Sequence, residues 1–263
     1  MNFKMTKKVK IALIAACATV FAIAAGYLVH YFVTLNQNSE IYEALQQSAI
    51  STQAPVAQET AVPETQVDGQ AELLEIDFEA LHQTNPDIYA WIDIPDNEVS
   101  YPIAQHESDN AYYLNYTIEG VYGLPGSIYT ETWDALDFSD FNTVIYGHNM
   151  ANDTMFGSLN NYRAQSYFDA HHEIVIYTET ETRVYQVFAA VVYDDRYIPY
   201  VYDDADSADR QAFLDSIYNN GNSSDIIDTA VTVTTDSQII TLSTCIGDMP
   251  DNRYLVVAVY QGE

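Results

Sequence analysis

The sequence predicts a mainly β domain with helical additions (an α+β fold), arranged as a closed barrel of about eight strands behind an N-terminal membrane segment. Two observations predict the barrel: many short runs rich in Val, Ile, Tyr and Thr follow residue 90, and only two helical stretches interrupt them. The membrane segment is predicted by residues 11–33, which contain no Asp, Glu, Lys or Arg.

The composition excludes several classes of protein. With 22 Tyr and 13% aromatic residues, the chain of 263 residues is not mainly disordered. Two cysteines exclude a disulfide-rich scaffold and a zinc module built on cysteines. The formal net charge of -29 excludes nucleic acid as a partner, because phosphate binding needs clustered Lys and Arg.

The charges around residues 11–33 predict how the membrane segment is oriented. All the lysines of the chain precede this segment, and the region after it has five arginines against 38 acidic residues. The positive-inside rule then predicts a cytoplasmic N-terminus, a single-pass span and an extracellular remainder. The alternative is a cleaved signal peptide ending at Ala22–Ala24, although the apolar run continues nine residues further.

Three parts are therefore expected: a cytoplasmic tip and anchor (1–35), a flexible stalk (36–71) and an extracellular domain (72–263). The stalk is predicted because these residues are rich in Gln, Ala, Ser, Thr, Glu and Pro and nearly lack aromatics. A short amphipathic helix around Ile41–Leu45 is the alternative for its first residues.

In the extracellular domain, apolar residues at helical spacing predict a first helix over residues 73–81, and Asn85-Pro86 ends it. Further helices are predicted at Met155–Tyr162 and at Ser207–Tyr218, the latter in a long insert before the strand that leads to Cys245. The predicted strands are Ala90–Ile94, Gly126–Thr130, Thr143–Gly147, Glu173–Thr178, Arg183–Tyr193, Gln238–Thr244 and Tyr254–Tyr260.

Cys245 is the main candidate for chemistry. Cys17 lies in the membrane segment as a small apolar residue, so Cys245 is the lone thiol of the exported region, either buried and inert or reactive. It ends a predicted strand, and a strand end places a side chain at the rim of a barrel. A nucleophilic cysteine needs a base or a cationic neighbour.

Two further residues supply what a nucleophilic cysteine requires. His148 ends the strand Thr143–Gly147 and is either structural or the base for Cys245. Arg253 starts the last predicted strand, and a loop over Ile246–Asn252 would return it beside the thiol. It is either a surface ion pair or a charge-assisted donor to a carbonyl oxygen.

These residues belong to five motifs that resemble class B sortases, in the same order along the chain. They are Asn85–Ile92 with Tyr101–Ile103, Asp109–Leu114, Gly126–Tyr129, Tyr146–Met150 with Met155–Leu159, and Thr241–Cys245 followed by Arg253. The resemblance covers about Leu74 to Tyr260, and the long insert between Val192 and Gln238 also fits class B.

The resemblance implies a cysteine transpeptidase of Gram-positive bacteria that works on the outer face of the membrane. Cys245 would attack the Thr carbonyl of a C-terminal sorting signal, of the Asn-Pro-x-Thr-Gly or Asn-Pro-Gln-Thr-Asn type, and form a thioester. An amine of a peptidoglycan precursor or a pilin lysine would resolve it. His148 would act as general acid and base, and Arg253 would hold the oxyanion.

For substrate binding the resemblance implies Asn110, Leu114, Tyr197, Ile198 and Ser243, with the backbone N–H of Ile246 as a second oxyanion donor. Core packing is the alternative for Leu114 and Ile198. No cofactor and no metal is implied, including the calcium of class A.

Other functions remain open. A papain-like cell-wall hydrolase would carry its cysteine early, before the histidine, and an L,D-transpeptidase would need a Ser-x-Gly-Cys motif, which this chain lacks. A non-catalytic, membrane-tethered adhesin or scaffold is the alternative from another class.

Overall fold

The computed structural model of the protein describes residues 7–51 and 73–262. The helices in these ranges are α1 (Lys7–Ala49), α2 (Phe78–Thr84), α3 (Tyr112–Asn115), α4 (Gln165–Ala170), α5 (Ile198–Val201) and α6 (Ser207–Tyr218), with a 3₁₀ helix at Gly157–Arg163. The strands are β1 (Ile50–Ser51), β2 (Glu75–Ile76), β3 (Ile88–Asp93), β4 (Ser100–Ala104), β5 (Ile128–Tyr129), β6 (Asn142–Tyr146), β7 (Glu173–Thr178), β8 (Thr182–Asp194), β9 (Ile226–Ile227), β10 (Ile239–Ile246) and β11 (Met249–Tyr260).

Eight of the described strands close into a barrel, as the sequence predicts. Their order around the barrel is β11-β10-β6-β5-β4-β3-β7-β8, and pairing of β11 with β8 closes the ring. The pairs β10–β6 and β4–β5 are parallel and the other barrel pairs are antiparallel, so the sheet is mixed. Closure leaves no exposed sheet edge among these eight strands.

Two apolar cores lie on the two faces of the barrel wall. Along β11, Tyr254, Val256 and Ala258 belong to one core, and Leu255 and Val257 belong to the other, as the two-residue period of a strand requires. Helix α6 covers the second core with its buried face, and the side chain of Asp206 caps this helix by accepting from the Ala208 N–H.

The predicted flexible stalk is wrong for residues 36–51, because α1 continues to Ala49. Tyr42, Leu45 and Ala49 are buried, on one face of the helix, against the barrel domain. The helix ends where β1 pairs antiparallel with β2. Residues 41–45 are helical, as the alternative expects, but they belong to the continuous helix α1 and not to a separate short helix. Residues 52–71 of the predicted stalk lie outside the described residues.

Other elements also differ from the expectation. Residues 73–81 are not one helix, because Glu75–Ile76 pair with β1 and Asp77 caps a helix that begins at Phe78. The predicted helix at Met155–Tyr162 is a 3₁₀ helix that begins at Gly157, since Met155 still bridges Asn149. Strand β4 (Ser100–Ala104) was not predicted.

Candidate active site

Three adjacent strands bring the predicted catalytic side chains together. Strands β6 and β10 are parallel and Ser243 lies opposite Tyr146, so Cys245 and His148 each stand two residues further along neighbouring strands. Strands β10 and β11 form a hairpin in which Cys245 is paired with Arg253. The order across the rim is therefore His148, Cys245, Arg253.

The hairpin itself is tighter than the sequence suggests. Residues 246–252 were expected to form a loop, but β10 runs to Ile246 and β11 begins at Met249, so Gly247 and Asp248 alone connect the strands. Arg253 consequently lies inside its strand rather than at its start. A register shift at Cys245/Ile246 accompanies the turn.

Cys245 is exposed at the end of an otherwise buried strand. Its backbone carbonyl accepts a hydrogen bond from Asn149 Nδ2 at 2.8 Å, and Asn149 Oδ1 in turn accepts from Asn160 Nδ2 at 3.0 Å. The side chain of Thr244 donates to the Gly147 carbonyl at 2.7 Å. These bonds hold the strand ends that carry the thiol and the imidazole.

His148 is held by a backbone carbonyl of α3. Its Nε2 donates to the Leu114 carbonyl oxygen at 2.8 Å, which fixes the proton of a neutral ring on Nε2 and leaves Nδ1 as an acceptor. Gly126 lies against the same atoms, since a Cβ there would stand 3.0 Å from His148 Cδ2 and 2.8 Å from the Leu114 oxygen. Gly126 has φ +65°, a conformation that glycine adopts without strain.

Arg253 is half-buried, and its Nη1 donates to the carbonyls of Pro250 and Asn252 at 3.1 and 2.9 Å. Among the described residues, carboxylate ion pairs are formed by Arg183 and Arg196 but not by Arg253. The alternative interpretation of Arg253 as a surface ion pair thus finds no partner in the described part of the chain. Its remaining guanidinium donors have carbonyl oxygens as natural acceptors.

A groove of about 270 Å³ contains the three side chains. Of the residues predicted to bind substrate, Leu114, Tyr197, Ile198 and Ser243 also line it. Leu114 is exposed there, whereas Ile198 is buried and packs in the second core as well.

The other two predicted substrate residues do not line the groove. The Oδ1 of Asn110 accepts from the Thr132 N–H at 3.0 Å, next to Glu131 and Trp133, which contact Tyr197 of the groove. Ile246 is buried at the tip of the hairpin. A role for its backbone N–H stays a prediction.

Sequence reasoning missed a polar cluster in the groove wall. Tyr197 donates its hydroxyl hydrogen to Glu131 and accepts from the indole N–H of Trp133 at 2.8 Å. Burial raises the pKa of the Glu131 carboxyl, and burial together with Glu131 raises the pKa of Tyr197 to about 12. These residues are 66 positions apart, so no local pattern indicates the contact.

The arrangement provides a nucleophile, a proton carrier and a fixed cation beside an open groove. That set suits acyl transfer. Within residues 7–51 and 73–262, no group of three or more His, Cys, Asp and Glu side chains is placed to hold a metal ion.

Comparison with known proteins gives one consistent family. A family model described as the sortase domain matches residues 92–261. Sortase B of Listeria monocytogenes is 30% identical over 206 residues, which are 78% of this chain and 80% of the relative.

Two solved structures share the fold. Sortase B of B. anthracis, in complex with AAEK1, has a TM-score of 0.68 and 27% identity and covers 87% of this chain and 98% of its own. The Staphylococcus aureus sortase B–substrate complex has a TM-score of 0.61 and 32% identity, with coverage of 70% and 83%.

Proposed function

The chain belongs to the sortase family, in class B, and from that premise we propose that it is a cysteine transpeptidase. It cleaves a C-terminal sorting signal of secreted proteins after Thr and transfers the acyl group to an amine. The observation that carries this proposal is the alignment of His148, Cys245 and Arg253 on three adjacent strands of one groove.

In the first half-reaction the Cys245 thiolate attacks the carbonyl carbon of the Thr residue. The Arg253 guanidinium and the backbone N–H of Ile246 stabilise the oxygen as it becomes negative. Collapse of this intermediate breaks the C–N bond, and His148 gives its proton to the departing amine. The product is a thioester between Cys245 and the shortened protein.

In the second half-reaction an amine attacks the thioester. His148 accepts a proton from the attacking nitrogen, the new amide forms and the Cys245 thiolate leaves. The acceptor amine belongs either to a peptidoglycan precursor or to a pilin lysine. Three carboxylates and two arginines line the groove: Glu131, Asp194, Asp195, Arg196 and Arg253. The carboxylates exceed the arginines by one, and this charge favours approach of a cationic amine.

The substrate class is a peptide of the Asn-Pro-x-Thr-Gly or Asn-Pro-Gln-Thr-Asn type. In the proposed complex Leu114, Tyr197, Ile198 and Ser243 contact the peptide inside the groove, and Asn110 contacts it at the edge. The Staphylococcus aureus sortase B–substrate complex supports a peptide substrate for this fold.

Sortases are membrane-associated, and α1 is long and apolar enough to cross a membrane. Its most apolar part, with mean hydropathy 2.3, has no buried residues. We place the lysine-bearing start of α1 in the cytoplasm and the barrel outside, at the cell membrane, because the lysines precede the apolar run.

The test is transfer of peptides to amines by the full chain in detergent, followed by mass spectrometry of the peptide products. The panel pairs Asn-Pro-x-Thr-x peptides with oligoglycine and lysine acceptors. We expect ligation after Thr, and we expect Arg253→Ala to lower kcat/KM by about 10²–10³-fold, the range for loss of an oxyanion donor.

Arg196→Ala is the matched control, because Arg196 is a second cation lining the groove but is ion-paired with Asp194 at 2.5 Å. It should change kcat/KM far less than Arg253→Ala. Equal losses in the two variants, or ligation that survives Cys245→Ala, would overturn the proposal.

A further inference from the structure

An apolar loop lies beside the outer end of the predicted membrane span. This apolar loop (Thr117–Leu124) exposes Val121, Tyr122 and Leu124, with Tyr122 70% exposed. A cleft of about 280 Å³ separates the loop from α1, and it is lined by Tyr122, Gly123 and Leu124 of the loop and by Tyr27, His30, Tyr31 and Thr34 of α1. The loop therefore reaches back along the last turns of residues 11–33.

The apolar side chains are held outward by an ordered backbone. The Thr117 N–H donates to the Val121 carbonyl at 2.9 Å, and the Gly120 N–H donates to the Thr117 carbonyl at 2.8 Å. The ring of Tyr122 packs edge-on against Tyr116 with centroids 5.3 Å apart. The folded loop thus keeps Val121, Tyr122 and Leu124 exposed, although this leaves apolar surface in contact with water.

The apolar loop is also fixed to α1. The Leu124 carbonyl accepts from Asn38 Nδ2 at 2.6 Å, and the Ile118 N–H donates to the Tyr42 hydroxyl at 3.2 Å. The Ile118 side chain is buried. Because these contacts tie the loop to the helix, the depth of the helix in a membrane sets the depth of the loop.

We propose that the apolar loop inserts into the outer lipid interface of the membrane that α1 crosses, an inference that rests on the proposed span. At 1.5 Å per residue, Tyr27 lies about 9 Å along the helix from Val33. Side chains beside it fall within the roughly 5–10 Å that interfacial segments penetrate. Tyrosine is enriched at that level because its ring is apolar and its hydroxyl is wet.

Lipid is the occupant that fits the chemistry of the loop. The loop contains no Lys or Arg and one acidic residue, Glu119, so attraction to anionic headgroups does not hold it. Burial of its apolar and aromatic side chains in lipid holds the loop instead. The covalent link to α1 keeps the loop close to the membrane, which raises its effective concentration there.

Insertion would place the active site next to the lipid surface. The apolar loop joins α3, whose Leu114 carbonyl holds His148, to Gly126, which packs against the same imidazole. One continuous segment then forms both the membrane contact and a wall of the groove. A peptide presented at the outer membrane surface would meet the groove without a long tether between barrel and bilayer.

The experiment uses the full chain in phosphatidylcholine vesicles, with Cys17→Ala and Cys245→Ala so that one introduced cysteine carries a nitroxide. Labels are placed by Tyr122→Cys in the loop, by Phe21→Cys in the middle of the predicted span and by Tyr200→Cys, an exposed tyrosine of α5 that serves as the aqueous control. The measurement is the ratio of label accessibility to oxygen and to a water-soluble nickel chelate. Val121→Cys repeats the loop measurement without altering the Tyr122–Tyr116 contact.

We expect the ratio at Tyr122 and Val121 to exceed that at Tyr200 by about threefold or more, because side chains that penetrate the interface by roughly 5–10 Å meet more oxygen and less of the water-soluble chelate. It should persist in about 0.5 M salt, which screens surface charge. A loop ratio equal to that of Tyr200, with Phe21 in lipid, overturns the inference and leaves the span intact. An aqueous ratio at Phe21 overturns the span, and the inference with it.

Discussion

Gly126 offers the sharpest test of how the imidazole is positioned. Its φ of +65° disfavours any residue with a Cβ, and that Cβ would meet the Leu114 oxygen at 2.8 Å, the Tyr113 oxygen at 3.0 Å and His148 Cδ2 at 3.0 Å. The two oxygens belong to the backbone of α3 and cannot rotate away. Gly126→Ala must therefore move the backbone, the His148 ring or both.

Two separate effects set the expected loss in the free energy of unfolding of Gly126→Ala. A left-handed conformation costs a residue with a Cβ about 1–2 kcal/mol. Gly221→Ala is the matched control, because Gly221 has φ +78° and the nearest atom to its added Cβ is 3.7 Å away. Steric displacement at Gly126 adds to that cost, so Gly126→Ala should lower the free energy of unfolding by about 2–4 kcal/mol.

The effect on catalysis should separate the two variants more clearly. A displacement of about 1 Å in a catalytic group costs about 100-fold in rate. We expect a loss of that size in the acylation rate constant for Gly126→Ala and a change within about threefold for Gly221→Ala. The assays are guanidinium unfolding followed by circular dichroism in detergent and single-turnover acylation by a sorting peptide. If both variants acylate at the native rate, the Leu114–His148 bond does not position the imidazole.

Four further predictions concern other parts of the molecule and are tested by unfolding, acylation and transfer assays. Thr143→Val should leave the free energy of unfolding unchanged or raise it by about 1 kcal/mol, because within the described residues the buried hydroxyl has no hydrogen-bond partner. Thr241→Val is the control and should lower it by about 1–2 kcal/mol, because this hydroxyl is bonded at 2.7 Å. Asp134→Asn should flatten the pH dependence of unfolding. Burial raises the pKa of Asp134 to about 8, so the folded protein keeps a proton that the unfolded chain loses near pH 4, and native stability falls as pH rises between those values. An unchanged slope in denaturant titrations across that window would contradict this. Asn149→Ala should lower the acylation rate about tenfold, because the Cys245 carbonyl loses its amide donor; unchanged acylation in a folded variant would refute it. Transfer to a cationic amine should slow as salt increases, whereas transfer to neutral hydroxylamine should not, because carboxylates line the groove; a flat response for both would count against attraction of the acceptor.

The barrel was predictable because its strands carry local signals. Strand β8 and strand β11 are rich in β-branched and aromatic residues, and α6 begins and ends where the pattern of Ser207–Tyr218 indicates. The positions of Cys245 and His148 at strand ends were equally visible. Arg253 was expected beside Cys245, but the extent of the hairpin was not predicted. Gly247-Asp248 is a two-residue hairpin signal, yet residues 246–252 were interpreted as one loop, so the pairing of Ile246 with Met249 was missed.

The parts that the sequence did not predict depend on partners far away in the chain. Residues 36–49 have a polar composition that suits a stalk, and they are helical in the structure because Tyr42 and Asn38 meet partners 76 to 86 positions later. In residues 36–49, tertiary contacts therefore determine the helical structure more than the local composition does. The Tyr197–Glu131 contact is hidden for the same reason.

Mass spectrometry of the acylated protein, before and after digestion, tests most directly the central claim that Cys245 is the acylated nucleophile. The full chain in detergent is quenched during turnover of the best sorting peptide, digested and mapped, beside Cys245→Ala. We expect a mass increase equal to the peptide ending at Thr less one water, located on Cys245, released by hydroxylamine and absent from the variant. An adduct on another residue would contradict this claim. So would cleavage of the peptide with no adduct at all, when a small alkylating reagent still modifies Cys245 of the folded protein.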